Sequence, residues 1–244
     1  MALALNAVEI APEGLETAQP LLVAHGLFGS GRNFASIGRR LAEGRRVVLV
    51  DMRNHGASPW DADCSYRAMA EDLAEAVETR CGGRAVVLGH SMGGKAAMAL
   101  ALSEPARLAG LVVADIAPVA YAHAHGEILE AMRALDLSRV ARRSDADPML
   151  VEAVPEAPLR AFLLQNLVIE EGRARWRINL DALAAETDRL TGFPEDWPHA
   201  GWNGPALFLH GTASRYVTPA MHGAIRARFP AAEIEGIEGA GHWL

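Results

Sequence analysis

Residues 86–95 read Val86-Val87-Leu88-Gly89-His90-Ser91-Met92-Gly93-Gly94-Lys95. Within them Gly89-His90-Ser91-Met92-Gly93 fits G-x-S-x-G, the pattern of an apolar strand that ends in a sharp turn at a serine and passes at once into a helix. The flanks agree. Ala85-Val86-Val87-Leu88 is a short β-branched run suited to a buried parallel strand, and residues 95–102 are rich in Ala, Met and Leu, which are good helix formers. Side chains at Gly89 and Gly93 would collide with the turn and the neighbouring strand. Ser91 Oγ would then stand at the C-terminal edge of a sheet, over a helix N-terminus whose dipole favours developing negative charge. Taken alone, the pentapeptide also suits a glycine-rich turn with a capping serine, so the rest of the chain decides.

Upstream, Leu21–Ala24 is a second buried run that flows into His25-Gly26-Leu27-Phe28-Gly29-Ser30-Gly31. A glycine-rich loop after a strand suits phosphate, but the Walker pattern and the G-x-G-x-x-G fingerprint are both absent, which argues against a nucleotide. The turn fits an oxyanion hole better, with the Leu27 and Met92 N–H groups as donors beside the serine. Val47–Val50 is a third run, ending in Asp51-Met52-Arg53-Asn54-His55-Gly56-Ala57-Ser58. Asp51, Arg53 and His55 read there as an active cluster or, more simply, as polar residues that fix a loop. The first ten residues alternate as an edge strand, Gly14 and Pro20 bracket a weak second strand or loop, and residues 34–41 read as a helix. In residues 68–79, Met69, Leu73 and Val77 form one apolar helical stripe. Past the elbow helix, which Pro105 closes, Leu108–Ala114 delivers Asp115-Ile116-Ala117-Pro118. Strand and helix thus alternate, the signature of an α/β protein with a mostly parallel sheet covered on both faces.

Residues 119–203 break that rhythm. They contain no convincing strand, but three helical stretches, 125–135, 158–168 and 180–190, too patterned for a loop. The sheet resumes at residues 206–209, followed by a helix over 219–229, a last strand over 233–237 and Gly239-Ala240-Gly241-His242. The expectation is an eight-stranded, mostly parallel sheet with a helical cap inserted after the sixth strand. Residues 1–118 and 204–244 form the core and 119–203 the cap.

Composition narrows the function. The 244 residues are 50% hydrophobic with a formal net charge of −7, which argues against a nucleic-acid partner. Cys64 and Cys81 stand far apart with no C-x-x-C, which implies a reducing compartment and ordinary packing. The N-terminal residues carry no basic region, long apolar run or cleavage pattern, so a soluble cytoplasmic protein without a membrane span is expected, as a monomer or homodimer. His123 and His125 have no carboxylate or cysteine partner at ligand spacing, so no metal and no organic cofactor is expected.

A serine hydroxyl is a poor nucleophile until a base takes its proton, and the base needs a third group to hold its tautomer. In a sheet of this order the base comes from the loop after the last strand, where His242 stands. His90 adjoins Ser91 but points away by strand alternation, and His25 belongs to the oxyanion turn. The acid is commonly found after the strand that follows the cap, but that turn reads Thr212-Ala213-Ser214-Arg215-Tyr216-Val217, with Ser214 in the usual aspartate position. Asp115, at the tip of the neighbouring strand, is the orienting acid read here, against a role in capping the first turn of the cap; Asp51 is held in reserve.

Together, residues 25–30, 51–56, 89–95, 114–118 and 239–243, with Phe162-Leu163-Leu164-Gln165-Asn166-Leu167 and Trp176-Arg177-Ile178-Asn179-Leu180, resemble the α/β-hydrolase esterases of the bacterial small acyl-esterase, abhydrolase-eleven-like type. The resemblance spans nearly the whole chain. It implies the α/β-hydrolase fold, hydrolysis of carboxylic esters and in some cases acyl-CoA thioesters, and an acid after the strand that follows the elbow helix, as at Asp115. Members continue past the histidine into a terminal helix, whereas this sequence ends at Leu244. The substrate expected is a small acyl ester or thioester. Phe28, Phe162, Leu163 and Asn166 line an acyl pocket or pack cap on core, and Arg173, Arg175 and Arg177 meet a CoA phosphate or form a charged surface turn. A C–C hydrolase, a lactonase, a perhydrolase or a non-catalytic binding protein on the same scaffold remains the alternative.

Overall fold

A computed structural model of the chain describes residues 1–12, 14–122 and 125–243. In chain order the first part carries β1 (Ala7–Ile10), β2 (Leu21–Ala24), α1 (Ala35–Leu41), β3 (Val47–Val50), α2 (Tyr66–Cys81), β4 (Ala85–His90), α3 (Met92–Ser103) and β5 (Leu108–Ala114). The segment that follows holds α4 (His125–Arg133), α5 (Arg143–Ala146), α6 (Ala157–Leu163), β6 (Leu167–Glu170), β7 (Arg173–Trp176), α7 (Leu180–Ala185) and α8 (Thr187–Thr191). The chain then returns through β8 (Ala206–Gly211), α9 (His222–Arg228) and β9 (Ala232–Ile237).

Among the described residues the main sheet has seven strands in the order β1-β3-β2-β4-β5-β8-β9. Only β1, at the edge, runs antiparallel to its neighbour. β2 and β3 are buried at every position, as expected of aliphatic runs covered on both faces. α2 starts at Ser65, whose side chain accepts from Ala68 N, and stops at Gly82, whose φ of 71° is open to glycine without strain. Its stripe Met69, Leu73 and Val77 is fully buried. α3 is buried from Met92 to Leu102, which explains why small and apolar residues occupy all its faces.

Two expectations require correction. The sheet has seven described strands instead of eight, and the long insertion follows the fifth strand instead of the sixth, because residues 14–20 form no strand: Leu15 is exposed and Thr17 and Ala18 both donate to the Gly44 carbonyl. The insertion is also not purely helical, since β6 and β7 pair as an antiparallel hairpin. Its alternation, Arg173 and Arg175 outward against Ala174 and Trp176, is a half-buried strand pattern, with Glu171 and Gly172 at positive φ in the turn.

Two side-chain amides fasten the insertion to the turns after β2 and β3, and a hydroxyl on α2 and an ammonium on α3 fasten it to those helices. Asn166 Nδ2 donates to the Phe28 carbonyl at 2.7 Å, and Asn179 donates from its backbone N to Asn54 O at 2.9 Å and from Nδ2 to Asn54 Oδ1 at 3.0 Å. Tyr66 OH donates to Leu190 O at 2.7 Å, while Lys95 Nζ reaches Thr191 O and Gly192 O at 2.8 and 2.6 Å.

Candidate active site

Register brings the strand tips together: Ala24 lies beside Gly89, His90 beside Ala114, and Ala114 beside Leu209. At the tip of β4 the chain turns at Ser91, with φ 52° and ψ −117°, and α3 begins at the next residue. A side chain costs strain at such a backbone, and the surrounding packing must hold it there. The glycines supply the room. A Cβ on Gly89 would meet the Gly93 carbonyl, one on Gly93 the Ala24 carbonyl, and one on Gly94 would lie 2.6 Å from Ile116 Cγ2. The close approach read from the sequence is therefore a property of the packed elbow.

Asp115 follows β5 with φ 51° and is fully buried. Its Oδ2 lies 2.7 Å from His242 Nδ1 and also accepts from the Ser214 hydroxyl, while Gly211 N donates to Oδ1 at 3.2 Å. Burial pushes this carboxyl upward, but the hydrogen bonds from His242, Ser214 and Gly211 outweigh it and hold Asp115 below the usual carboxylate range. Ser214 thus sits at the usual aspartate position as a donor to the aspartate from the adjacent strand. The reserve candidate Asp51 lies elsewhere, accepting from Asn6 Nδ2, Gly31 N and Ala57 N as the pin of its own loop.

His242 is held on three sides. Tyr216 stacks on its ring at 4.0 Å between centroids, Asp115 takes Nδ1, and its carbonyl accepts from His90 Nε2 at 2.9 Å. His90 therefore does not point away from the site, as strand alternation predicts. The sharp turn at Ser91 ends the alternation, and the His90 ring lies 4.7 Å from that of His242. Burial, reinforced by the neighbouring His242, pushes His90 down to about 4, so it is neutral and able to donate.

The turn after β2 forms the opposite wall. His25 Nε2 accepts from Met52 N at 2.9 Å, and His55 Nε2 accepts from Phe28 N at 3.3 Å. Burial lowers both histidines, His55 to about 3, so both act as neutral spacers between loops. A cavity of about 350 Å³ opens at Ser91, with Leu27, Phe28, Phe162, His242 and Trp243 in its wall. Leu163 is fully buried and Asn166 is spent on the Phe28 carbonyl, so these two brace the wall from behind. A second, smaller cavity of about 30 Å³ also touches Ser91, lined by Met92, Lys95, Tyr66, Tyr121 and Leu190 among others. Lys95 is buried, and burial drives its ammonium down to about 7. The sequence offered no signal for Lys95 beyond its being the one lysine of the chain.

No cluster of histidine, cysteine and acidic side chains able to hold a metal occurs among the described residues; His123 and the His125 side chain lie outside them. Cys64 and Cys81 are free and buried. Arg175 pairs with Glu170 of the neighbouring strand at 3.0 Å. No described helix is long and apolar enough to cross a membrane.

The chain is 42% identical over 240 residues to the mouse (Mus musculus) protein named sn-1-specific diacylglycerol lipase ABHD11, covering 95% of this chain and 78% of that one. It is 38% identical over 226 residues to Esterase YbfF of Escherichia coli, covering 92% and 86%. A solved structure described as a marine microorganism esterase superposes with a TM-score of 0.93 at 36% identity, covering 100% of this chain and 94% of that one. The family model described as alpha/beta hydrolase fold matches residues 19–244. With the parallel sheet, the serine elbow and these relatives in agreement, the chain belongs to the alpha/beta hydrolase fold family.

Proposed function

We propose that this protein is a serine esterase that cleaves carboxylic esters through an acyl-enzyme, with residues 1–118 and 204–244 as its catalytic core and 119–203 as a cap. The observation that carries the reading is the 2.7 Å contact of His242 Nδ1 with Asp115 Oδ2, in a cavity that His242 shares with Ser91. Relatives named esterase and lipase support the reaction class.

The chemistry follows from the placement. Asp115, kept ionised by its donors, fixes the Nδ1–H tautomer and leaves Nε2 to accept the Ser91 proton. Ser91 Oγ attacks the ester carbonyl, and the Leu27 and Met92 N–H groups stabilise the oxyanion; removing one such donor typically costs about 3 kcal/mol of barrier. The imidazolium returns its proton to the leaving alcohol. Water, deprotonated by the same imidazole, then attacks the acyl-enzyme and releases the acid and Ser91.

Treatment with a fluorophosphonate, read by intact mass and peptide mapping, tests the assignment. A single adduct on Ser91, absent from Ser91→Ala, is the expected result. A folded protein that takes no adduct would make the site a binding pocket without hydrolytic competence.

A further inference from the structure

Ser91 stands where two unequal cavities meet, and the catalytic histidine lines only one of them. The cavity of about 350 Å³ contains His242, together with Phe28, Ile128, Leu159, Phe162 and Trp243. The other, of about 30 Å³, is lined by Leu27, Ser91, Met92, Tyr66, Lys95 and Leu190 among others. Resting on the serine-esterase reading above, we infer that the small cavity receives the acyl group and the large one the alcohol, so that the enzyme selects acetyl and propionyl esters of bulky apolar alcohols.

The argument is one of directions around the reacting carbon. In the tetrahedral intermediate that carbon carries four groups: Ser91 Oγ, the oxyanion, the leaving oxygen and the acyl chain. The leaving oxygen must come within about 2.6–3.2 Å of the imidazole to take its proton, which sends the alcohol into the cavity that His242 lines. The oxyanion faces the Leu27 and Met92 N–H groups. The acyl chain takes the remaining direction, into the small cavity, which at about 30 Å³ holds about two water-sized groups.

That cavity has little freedom to widen. Its wall includes Lys95, whose Nζ is tied to Thr191 O at 2.8 Å and Gly192 O at 2.6 Å and lies 4.8 Å from the Tyr121 ring. Tyr66 beside it is buried and donates its hydroxyl to Leu190 O. A longer chain would press methylenes against an ammonium fixed by two carbonyls. The apolar side chains around Phe162 then hold the alcohol, instead of the acyl chain expected there from the sequence.

Two ester series on the wild-type protein test this: p-nitrophenyl esters from acetate to decanoate, and acetates of alcohols from ethanol to 2-phenylethanol. We expect kcat/KM to peak at acetate or propionate, to fall roughly tenfold or more by hexanoate, and to rise with the apolar size of the alcohol. Leu190→Ala, with Leu190→Val as the milder variant, moves the acyl optimum to longer chains. Phe162→Ala lowers kcat/KM for the bulky acetates without moving that optimum. An adduct on Ser91 combined with hexanoate hydrolysis as fast as that of acetate overturns the short-acyl inference and leaves the serine-esterase reading standing. Loss of both adduct and turnover overturns both.

Discussion

The histidine that precedes Ser91 holds the backbone of the candidate base: His90 Nε2 donates to the His242 carbonyl across 2.9 Å. His242 sits on a loop with no regular element of its own, so this bond, the Asp115 contact and the Tyr216 stack together set its ring. A single neutral hydrogen bond is worth about 1 kcal/mol net, and a loss of that size is about fivefold in rate. His90→Ala is therefore expected to lower kcat about fivefold, with partial recovery in His90→Gln, which retains an N–H donor. Steady-state kinetics on the two variants, with folding checked by circular dichroism, measures this; equal kcat in wild type and His90→Ala would assign the bond no positioning role.

Asp115→Asn keeps the shape of the acid and removes its charge. The amide favours the wrong imidazole tautomer, and kcat should fall by about 10⁴-fold. The stability difference between the two proteins should vary with pH only at the acid end. Because the native carboxyl is held below its ordinary value of 3.8, its contribution is complete above that value and is lost as pH falls through the lowered native one. Urea unfolding of the two proteins from pH 7 to pH 3 should show their stability difference constant at first and shrinking at the acid end.

A buried ion pair anchors the turn after β3. Arg53 reaches Asp72 through Nε at 2.7 Å and Nη2 at 2.8 Å, and both side chains are almost wholly buried. Replacing one partner strands the other charge, so Asp72→Asn or Arg53→Met should cost about 3–5 kcal/mol in denaturant unfolding. The double variant Arg53→Met/Asp72→Leu should recover much of that loss, which a purely additive pair would not.

Lys95 offers a measurement without mutation. It is the sole lysine, so protein labelled with ¹³Cε-lysine gives one side-chain resonance. Its titration midpoint is expected near 7 instead of 10.5, because burial disfavours the ammonium. The unfolded chain binds this proton more tightly, so the group makes stability rise with pH between about 7 and 10.5. A midpoint near 10.5 would mean that the Thr191 and Gly192 carbonyls and the aromatic faces fully offset the desolvation.

The parallel strands were legible because each is a short aliphatic run that must be buried on both faces, and Leu21–Ala24, Val47–Val50 and Leu108–Ala114 fall where the hydrophobic pattern places them. The meeting of Asp115 with His242 was legible because parallel strands align their tips. His90 was misread because alternation was carried one residue too far, into a turn whose φ no periodicity encodes. The hairpin of β6 and β7 was hidden by its arginines, which alternate with Ala174 and Trp176 yet read first as charge. Lys95 gave no local signal and Ser214 stood out only as the residue in the usual aspartate position; their roles come from carbonyls and a carboxylate delivered by distant segments.

The asparagine fasteners bear on how such proteins diversify. Asn166 and Asn179 grip the backbone at Phe28 and at Asn54, in turns that belong to the sheet and not to the insertion. A cap transplanted from one relative to another would arrive with half of each clasp and would need matching turn geometry on the recipient. Recombination of this chain at the obvious junctions should therefore yield few active chimeras unless the turns after β2 and β3 travel with the insertion, so that the two segments exchange only as one linked block.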